Sequence, residues 1–354
     1  MSNVLLDFAT ASIDIKHSVL KNLQDSSYPI YIFGDSEYAL VVKAFLTNNL
    51  LRVQGNIVSK DENLYLNGQK FIALDHSYHI VIGMASQSKA ETILNKLNLI
   101  NCISVDYFSL NPFYNLNFDM LSSSWDRIST VFNSLNDLHS KEILSNYLRS
   151  ALSHNNTFLN PTTPQYFPKY MEFSQNEVVV DGGAYTGDTL SDYVSIFKNF
   201  KEYHAFEPSS YNFSILSSFS QIRNNIFLYN KGLGLINSKL LFHDEDSESS
   251  TSSFVTSLFN SENLKEVEIV RLDDIIQCVS FIKLDIEGAE LDALIGSANL
   301  IIKFKPKIAV CIYHKFEHLW QILDLLKSLR EDYRFSIGFH SAPNILTELV
   351  LYAY

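Results

Sequence analysis

A chain of 354 residues is long enough for two domains and a large core. With 27 Lys+Arg against 39 Asp+Glu, its formal net charge of -12 argues against a nucleic-acid groove, which needs a basic stripe to displace counterions, and against an anionic membrane surface. Cys102, Cys278 and Cys311 have no short paired spacing, so neither a disulfide framework nor a zinc site is suggested, and reducing cytoplasm is the default location. The first ten residues hold Asp7 and no basic stretch, and no apolar run approaches the roughly 18 residues of a membrane span.

In chain order, Val4, Leu5, Phe8, Ile13, Ile15, Val19, Leu20 and Leu23 recur at near-helical spacing and predict a docking helix over 4–24, broken near Thr10. Pro29 to Gly34 reads as a strand ending in a turn, followed by a helix through Leu46. His79 to Gly83 is a second apolar strand, before a helix over Ser86 to Leu97 and a short strand around Ile103 to Val105. This alternation is a small parallel α/β unit. The turn after Gly34 carries one of the three glycines a nucleotide-binding turn wants, so the unit reads as a non-binding Rossmann-like accessory domain, placed for substrate docking or for a homo-oligomer. From Phe118 to His154 the pattern is helical, over Leu121 to Leu135 and Ser140 to Leu152, and Pro161, Pro164 and Pro168 close it before an approach segment containing Tyr166 and Phe167. The expected organisation is 1–112 accessory domain, 113–164 helical bridge and linker, and 165–354 a second α/β domain.

The second domain opens on an apolar strand, Val178 to Val180, running into Asp181-Gly-Gly-Ala-Tyr-Thr-Gly187 and a helix over Asp188 to Phe197. A dinucleotide fingerprint wants a third glycine where Ala184 stands. Asp181, Gly183 and Gly187 instead fit acid-x-Gly-x-x-x-Gly, a pattern similar to the first motif of S-adenosylmethionine (SAM) dependent methyltransferases, and an acid at the strand end suits a cationic ligand. Glu202 to Pro208 is a second strand ending in an acid. Glu207 follows Asp181 by 26 positions (207 − 181), near the offset at which an acid holds ribose hydroxyls. Asn225 to Asn230 reads as a third strand, whose end offers Asn230 and Lys231 to a nucleobase, and Lys231 to Gly234 leads into a hairpin through Leu240 to His243. Asp244 to Ser253 is acidic and serine-rich, either a solvated loop or a substrate lid, and Leu264 to Asp274 returns as a strand and a turn.

Val279 to Glu290 is the second strong signal. Strand alternation puts Phe281, Lys283 and Asp285 on one face, and a lysine inside an apolar strand needs a partner, for which Asp285 is the obvious choice. Open α/β sheets bind ligands beyond the carboxyl ends of their strands, and Asp181, the run Asp285 to Glu290, and Tyr313-His314 all fall at such ends. Glu287 and Glu290 serve equally as favourable charge in a first helical turn, and His314 as a residue starting the helix from Phe316 to Leu329. Arg334 to Phe339 and Thr347 to Tyr354 read as a terminal strand pair joined by a Pro-Asn turn.

Asp181-Gly-Gly-Ala-Tyr-Thr-Gly-Asp-Thr189, Phe206-Glu-Pro208, Leu272-Asp-Asp274, Ile282-Lys-Leu-Asp-Ile-Glu-Gly-Ala-Glu290, Pro306-Lys-Ile-Ala309 and Tyr313-His314, in that order, resemble the FkbM-type methyltransferases over about residues 165 to 354. The resemblance implies a class I methyltransferase sheet, Rossmann-like and mostly parallel with a C-terminal antiparallel hairpin, beside the smaller N-terminal α/β Rossmann-like domain and its helical bridge. It implies SAM as cofactor, methyl transfer to a hydroxyl of a sugar, glycan precursor or related small metabolite, SAM contacts at Asp181, Gly183 and Glu207, and Asp285 near the transferring methyl. The expected cofactor set is Asp181, Gly182, Gly183, Ala184, Tyr185, Gly187, Glu207, Pro208, Asn230, Lys231 and Asp285. Asp285 and His314 are the candidate bases, with Lys283 orienting the carboxylate. No metal is required by the spacing, although Asp285, Glu287, Glu290 and His314 offer hard ligands to Mg²⁺. The rival readings are a nicotinamide-dependent oxidoreductase on the same glycine turn and a non-catalytic α/β scaffold.

Overall fold

Short runs of aliphatic and β-branched residues build three separate sheets among the described residues. The computed structural model describes residues 19–34, 39, 42–43, 46–47, 50–60, 63–66, 68–70, 76–82, 101–107, 118–153, 159–162, 164–221, 223–243, 264–340 and 347–354. Most of the docking helix, the helix expected over 86–97, the acidic segment 244–253 and the Pro-Asn turn lie outside the described residues. The chain divides into one unit of 1–126, 141–161 and 339–347 and another of 127–140, 162–338 and 348–354. Among the described residues no helix is long and apolar enough to cross a membrane.

The first unit carries a six-stranded sheet of β1 (Ile30–Phe33), β2 (Val53–Lys60), β3 (Asn63–Leu66), β4 (Gln69–Lys70), β5 (Tyr78–Ile82) and β6 (Cys102–Tyr107), in the order β4-β3-β2-β1-β5-β6. β1 is parallel to β2 and β5, and β5 to β6, which is the expected Rossmann-like theme. β2 to β4 were not expected. They form an antiparallel meander in which Gly68 turns at φ 84°, and the Asn-Gly dipeptide between alternating apolar residues is the signal for it. Leu23, Ile30, Ile32, Ala39, Val42, Leu46, Leu51 and Val81 pack as one apolar cluster, so the helical residues Ala39, Val42 and Leu46 pack with β1 and β5.

The second unit carries β7 (Val178–Gly182), β8 (Glu202–Phe206), β9 (Ile226–Tyr229), β10 (Gly232–Leu233), β11 (Ser238–His243), β12 (Leu264–Val270), β13 (Phe281–Leu284), β14 (Lys307–Cys311), β15 (Phe335–Phe339) and β16 (Leu349–Ala353). Seven of these form a sheet in the order β15-β16-β14-β13-β7-β8-β9. β7 is an interior strand, parallel to β8 and β13 and buried along its whole length, which is why three consecutive valines are tolerated there. β14 is parallel to β13, whereas β16 is antiparallel to β14, with Cys311 opposite Val350. The helices Asp188–Ile196, Ser210–Leu216, Glu290–Ile295, Ala298–Phe304 and His318–Leu329 fall between strands. This strand order, mostly parallel with one reversed strand inserted beside β14, is the class I methyltransferase variant of the Rossmann plan. One local expectation fails: β10 does not pair with β11 as a hairpin but lies parallel to β12, with β11 antiparallel on the other side of β12. β10 is only two residues long, whereas β11 pairs with β12 along all six of its residues.

Candidate active site

The glycine turn is fixed by the strands on both sides of it. Gly183 N–H and Ala184 N–H both donate to the Phe206 carbonyl at 3.0 Å, tying the turn to the end of β8. Gly183 adopts φ 75°, and a Cβ there would lie 1.8 Å from the backbone oxygen of Asp285, so the tip of β13 leaves room for glycine alone. Gly187, at φ 95°, starts the helix Asp188–Ile196 and is closed over by the Phe219 ring. Between them Tyr185 takes φ 48° and donates its N–H to Glu207 Oε2 at 2.8 Å.

Lys283 does not pair principally with Asp285, as its position two residues away suggested. Its Nζ lies 3.0 Å from Asp181 Oδ1 and donates to the carbonyls of Gly182 (3.2 Å) and Gly183 (2.7 Å), which accounts for all three ammonium protons. The other Asp181 oxygen accepts from the Tyr203 hydroxyl at 2.8 Å. Asp181 is wholly enclosed and Lys283 nearly so. Desolvation pulls the lysine pKa down, but the Asp181 carboxylate and then Asp285 outweigh it and hold the ammonium above its ordinary range. Strand register explains the swap, because β13 sets Lys283 directly opposite Asp181 on β7. The pair therefore braces the glycine turn from beneath, and neither group is free to meet a ligand or carry a proton.

Glu207, one residue beyond β8, is 5 % exposed and accepts N–H bonds from Tyr185 and Ser209, both at 2.8 Å, one on each oxygen. Burial dominates and pushes its pKa up to about 7 against the opposing pull of those two amides and of Lys283. The Asn212 side chain is a further hydrogen-bond partner, which leaves the carboxylate room for one more donor. Asn230 is spent on structure: its amide donates to the carbonyls of Glu207 (2.9 Å) and Pro208 (3.1 Å), clamping the segment after β8 to the end of β9. Lys231 turns to Glu268 at 2.9 Å, an exposed pair on the three-stranded sheet.

A second polar group gathers at the tips of β13, β14 and β16. Asp285 accepts from the hydroxyls of Tyr166 (2.9 Å, Oδ2) and Tyr313 (3.1 Å, Oδ1), and Tyr313 also reaches Glu348 Oε1 at 3.3 Å. Gln165 donates to the other Glu348 oxygen. Burial, then the Asp285 charge, raise the Glu348 pKa to about 7. His314 Nδ1 lies 2.8 Å from Glu290 Oε1, and His318 Nδ1 lies 3.2 Å from Glu290 Oε2. Glu290 is fully buried and also accepts from the amides of Ile286 (2.9 Å) and Gly288 (3.3 Å). Burial alone would raise its pKa, but the two histidines win and hold it well below the ordinary carboxylate range. For His314 desolvation is likewise outweighed, by Glu290 first and then Asp285 and Glu287, and its pKa rises to about 9.

Asp181, Glu207 and Asp285 thus stand at the carboxyl ends of adjacent strands, since β7 pairs with β8 on one side and β13 on the other. Of the expected residues, Gly183, Tyr185, Gly187 and Glu207 shape one half of this edge, with Gly182 and Ala184 buried or packed behind the turn and Pro208 beside Asn230. Asp285, Glu287, Glu290 and His314 shape the other half. Tyr166, Tyr313 and Glu348 complete it. Tyr166 sits in the proline-rich approach segment, which carried no chemical motif. Glu348 was missed, although an antiparallel last strand must begin where its parallel neighbours end, so the residue before β16 belongs at this edge.

Three comparisons bear on this chain. The methyltransferase FkbM domain matches residues 181–337, a span that holds Asp181, Glu207, Asp285 and His314. The methyltransferase FkbM from Methylobacillus flagellatus KT is similar in structure at a TM-score of 0.74 and 20 % identity, covering 98 % of each chain, which shows the fold of both units. Precorrin-6y C5,15-methyltransferase from Geobacter metallireducens GS-15 matches at a TM-score of 0.32 and 10 % identity over 55 % of this chain and 93 % of its own, too low to carry an argument. No curated protein matches the sequence.

Proposed function

From a chain that carries an FkbM-type methyltransferase domain over residues 181–337, we propose SAM-dependent methyl transfer to a hydroxyl of a sugar, glycan precursor or related small metabolite. The observation that carries this reading is the common edge of β7, β8 and β13, where a ribose-type acceptor, Glu207, lies beside a backbone-lined glycine turn and an acid-histidine cluster. When bound, SAM supplies a methyl group already activated on a sulfonium. The chain is left with positioning work.

In this reading Glu207 takes a ribose hydroxyl on its remaining lone-pair site, and the turn at Gly183 brings the backbone close to the amino-acid end. Asp285, at the next strand tip, lies on the side of the turn where the acceptor docks. Two tyrosine hydroxyls already donate to that carboxylate, one to each oxygen. His314, steadied through Nδ1 by buried Glu290, is held as a cation up to about pH 9, so it takes the acceptor proton only in its neutral fraction and turnover is expected to rise with pH toward that value. The net charge of -12 supports a small-molecule acceptor over a nucleic acid. A nicotinamide site fits less well, because Ala184 replaces the third glycine and β16 runs antiparallel beside β14.

Isothermal titration of the full chain with SAM and with NAD tests the reading. SAM is expected to bind one to one, with Glu207→Ala weakening it at least tenfold. Tighter binding of NAD than of SAM would overturn it.

A further inference from the structure

Asn212 is a buried amide with only one of its two ends satisfied. It lies in the first turn of the helix Ser210–Leu216, 4 % exposed, and its backbone N–H donates to the Ser209 hydroxyl oxygen at 3.3 Å. Ser209 caps that helix, and a residue three positions past a cap commonly turns its side chain back to the cap's own N–H. Here that N–H is already taken, by Glu207 Oε1 at 2.8 Å. The Asn212 side chain is thereby released from capping and meets the Glu207 carboxylate instead.

An ionised carboxylate only accepts, so the amide nitrogen is the end that faces Glu207. The oxygen is left over. Asn212 Oδ1 is buried and has no hydrogen-bond partner among the described residues. A buried acceptor without a donor is costly, and native structures rarely keep one. Nitrogen and oxygen belong to one rigid planar group, so an amide whose nitrogen meets the carboxylate holds its oxygen close beside that carboxylate. A ribose presents two neighbouring hydroxyls to this pair. Glu207 already holds the Tyr185 N–H, the Ser209 N–H and the Asn212 side chain and has room for one donor more, which leaves one hydroxyl without an acceptor on the acid.

We propose that Asn212 is a second ribose-binding residue, its Oδ1 accepting the hydroxyl that Glu207 does not hold, so that acid and amide divide the diol between them. The inference rests on the SAM-binding reading and deepens it. It makes the site selective for an intact ribose, because a ligand lacking either hydroxyl leaves one enclosed acceptor unmet. Asn212 carries no signal of its own in the sequence. Its place follows from the Ser209 cap and from a Glu207 carboxylate already engaged on both oxygens.

The test titrates 5′-methylthioadenosine and its 2′-deoxy and 3′-deoxy forms, by calorimetry at pH 8, into the full chain and into Glu207→Ala, Asn212→Ala and Asn212→Leu. Removing one of the two hydroxyls is expected to weaken binding about fivefold in the wild type and to have no further effect in the Asn212 variants, which bind the parent ligand about fivefold more weakly. Removing the other hydroxyl is expected to show that non-additivity with Glu207→Ala instead. A residue that merely steadied Glu207 would couple to the same hydroxyl as Glu207, and damage to the fold would weaken all three ligands alike. Either result in both Asn212 variants, or independence of Asn212 from both hydroxyls, overturns the assignment. If both hydroxyls couple to Glu207 alone, the SAM-binding reading stands and only the role of Asn212 falls. If the wild type binds neither 5′-methylthioadenosine nor S-adenosylhomocysteine, that reading falls and the Asn212 assignment with it.

Discussion

Glu207 carries the most consequence of any single side chain at this edge, because burial and function pull its proton in opposite directions. Burial raises its pKa from 4.5 to about 7. A raised folded-state value means that its contribution to stability is fully present below the unfolded pKa, near 4.5, and is lost as pH climbs through 7. The proposed ribose contact needs the opposite form, since a protonated carboxyl gives up an acceptor. Affinity for 5′-methylthioadenosine, which has the ribose and base without the titrating amino-acid group, is therefore expected to fall as pH drops below 7, approaching tenfold per unit. Calorimetric titration between pH 8 and 5.5 checks this, and Glu207→Gln is expected to flatten the profile. A flat wild-type profile would mean that Glu207 does not face the sugar.

At the scale of elements, β7 and β13 are locked by one buried ion pair beneath the turn they share. Lys283→Met leaves Asp181 enclosed without its counter-charge, and removing one partner of such a pair costs on the order of 3–5 kcal/mol. Urea denaturation is expected to show that loss, and Asp181→Asn in the same chain to recover part of it. A Lys283→Met protein of unchanged stability but abolished turnover would restore lysine to a catalytic role. The pair also marks where sequence reading reached its limit. That Lys283 needed a carboxylate was legible from its place in an apolar strand. Which carboxylate it takes depends on the register of β13 against β7, a long-range fact that alternation within one strand does not contain. The β2–β4 meander is written locally, in alternating apolar residues around Asn67-Gly68, a hairpin signal set inside otherwise parallel α/β alternation.

At the scale of the molecule, the seven-stranded sheet decides what can converge. Parallel strands β7, β8 and β13 deliver the residues after them to one edge, which is why Asp181, Glu207 and Asp285 could be grouped from motifs alone. β16 runs the other way, so it delivers the residue before it, and Glu348 arrives from the far end of the chain to share Tyr313 with Asp285. No spacing rule links positions 285 and 348; only the reversed strand does. The first unit repeats the α/β theme with its own sheet and apolar cluster, and its described residues bring no comparable gathering of acids and histidines.

The central claim is that a single adenosyl site spans the tips of β7, β8 and β13, with the acceptor side at Asp285. A crystal structure of the full chain with S-adenosylhomocysteine tests it most directly. The account predicts a ribose hydroxyl on Glu207, the amino-acid end against the turn at Gly183, and the sulfur directed toward Asp285 and His314. Adenosyl density anywhere else on the molecule, or a sulfur directed away from Asp285, would contradict it.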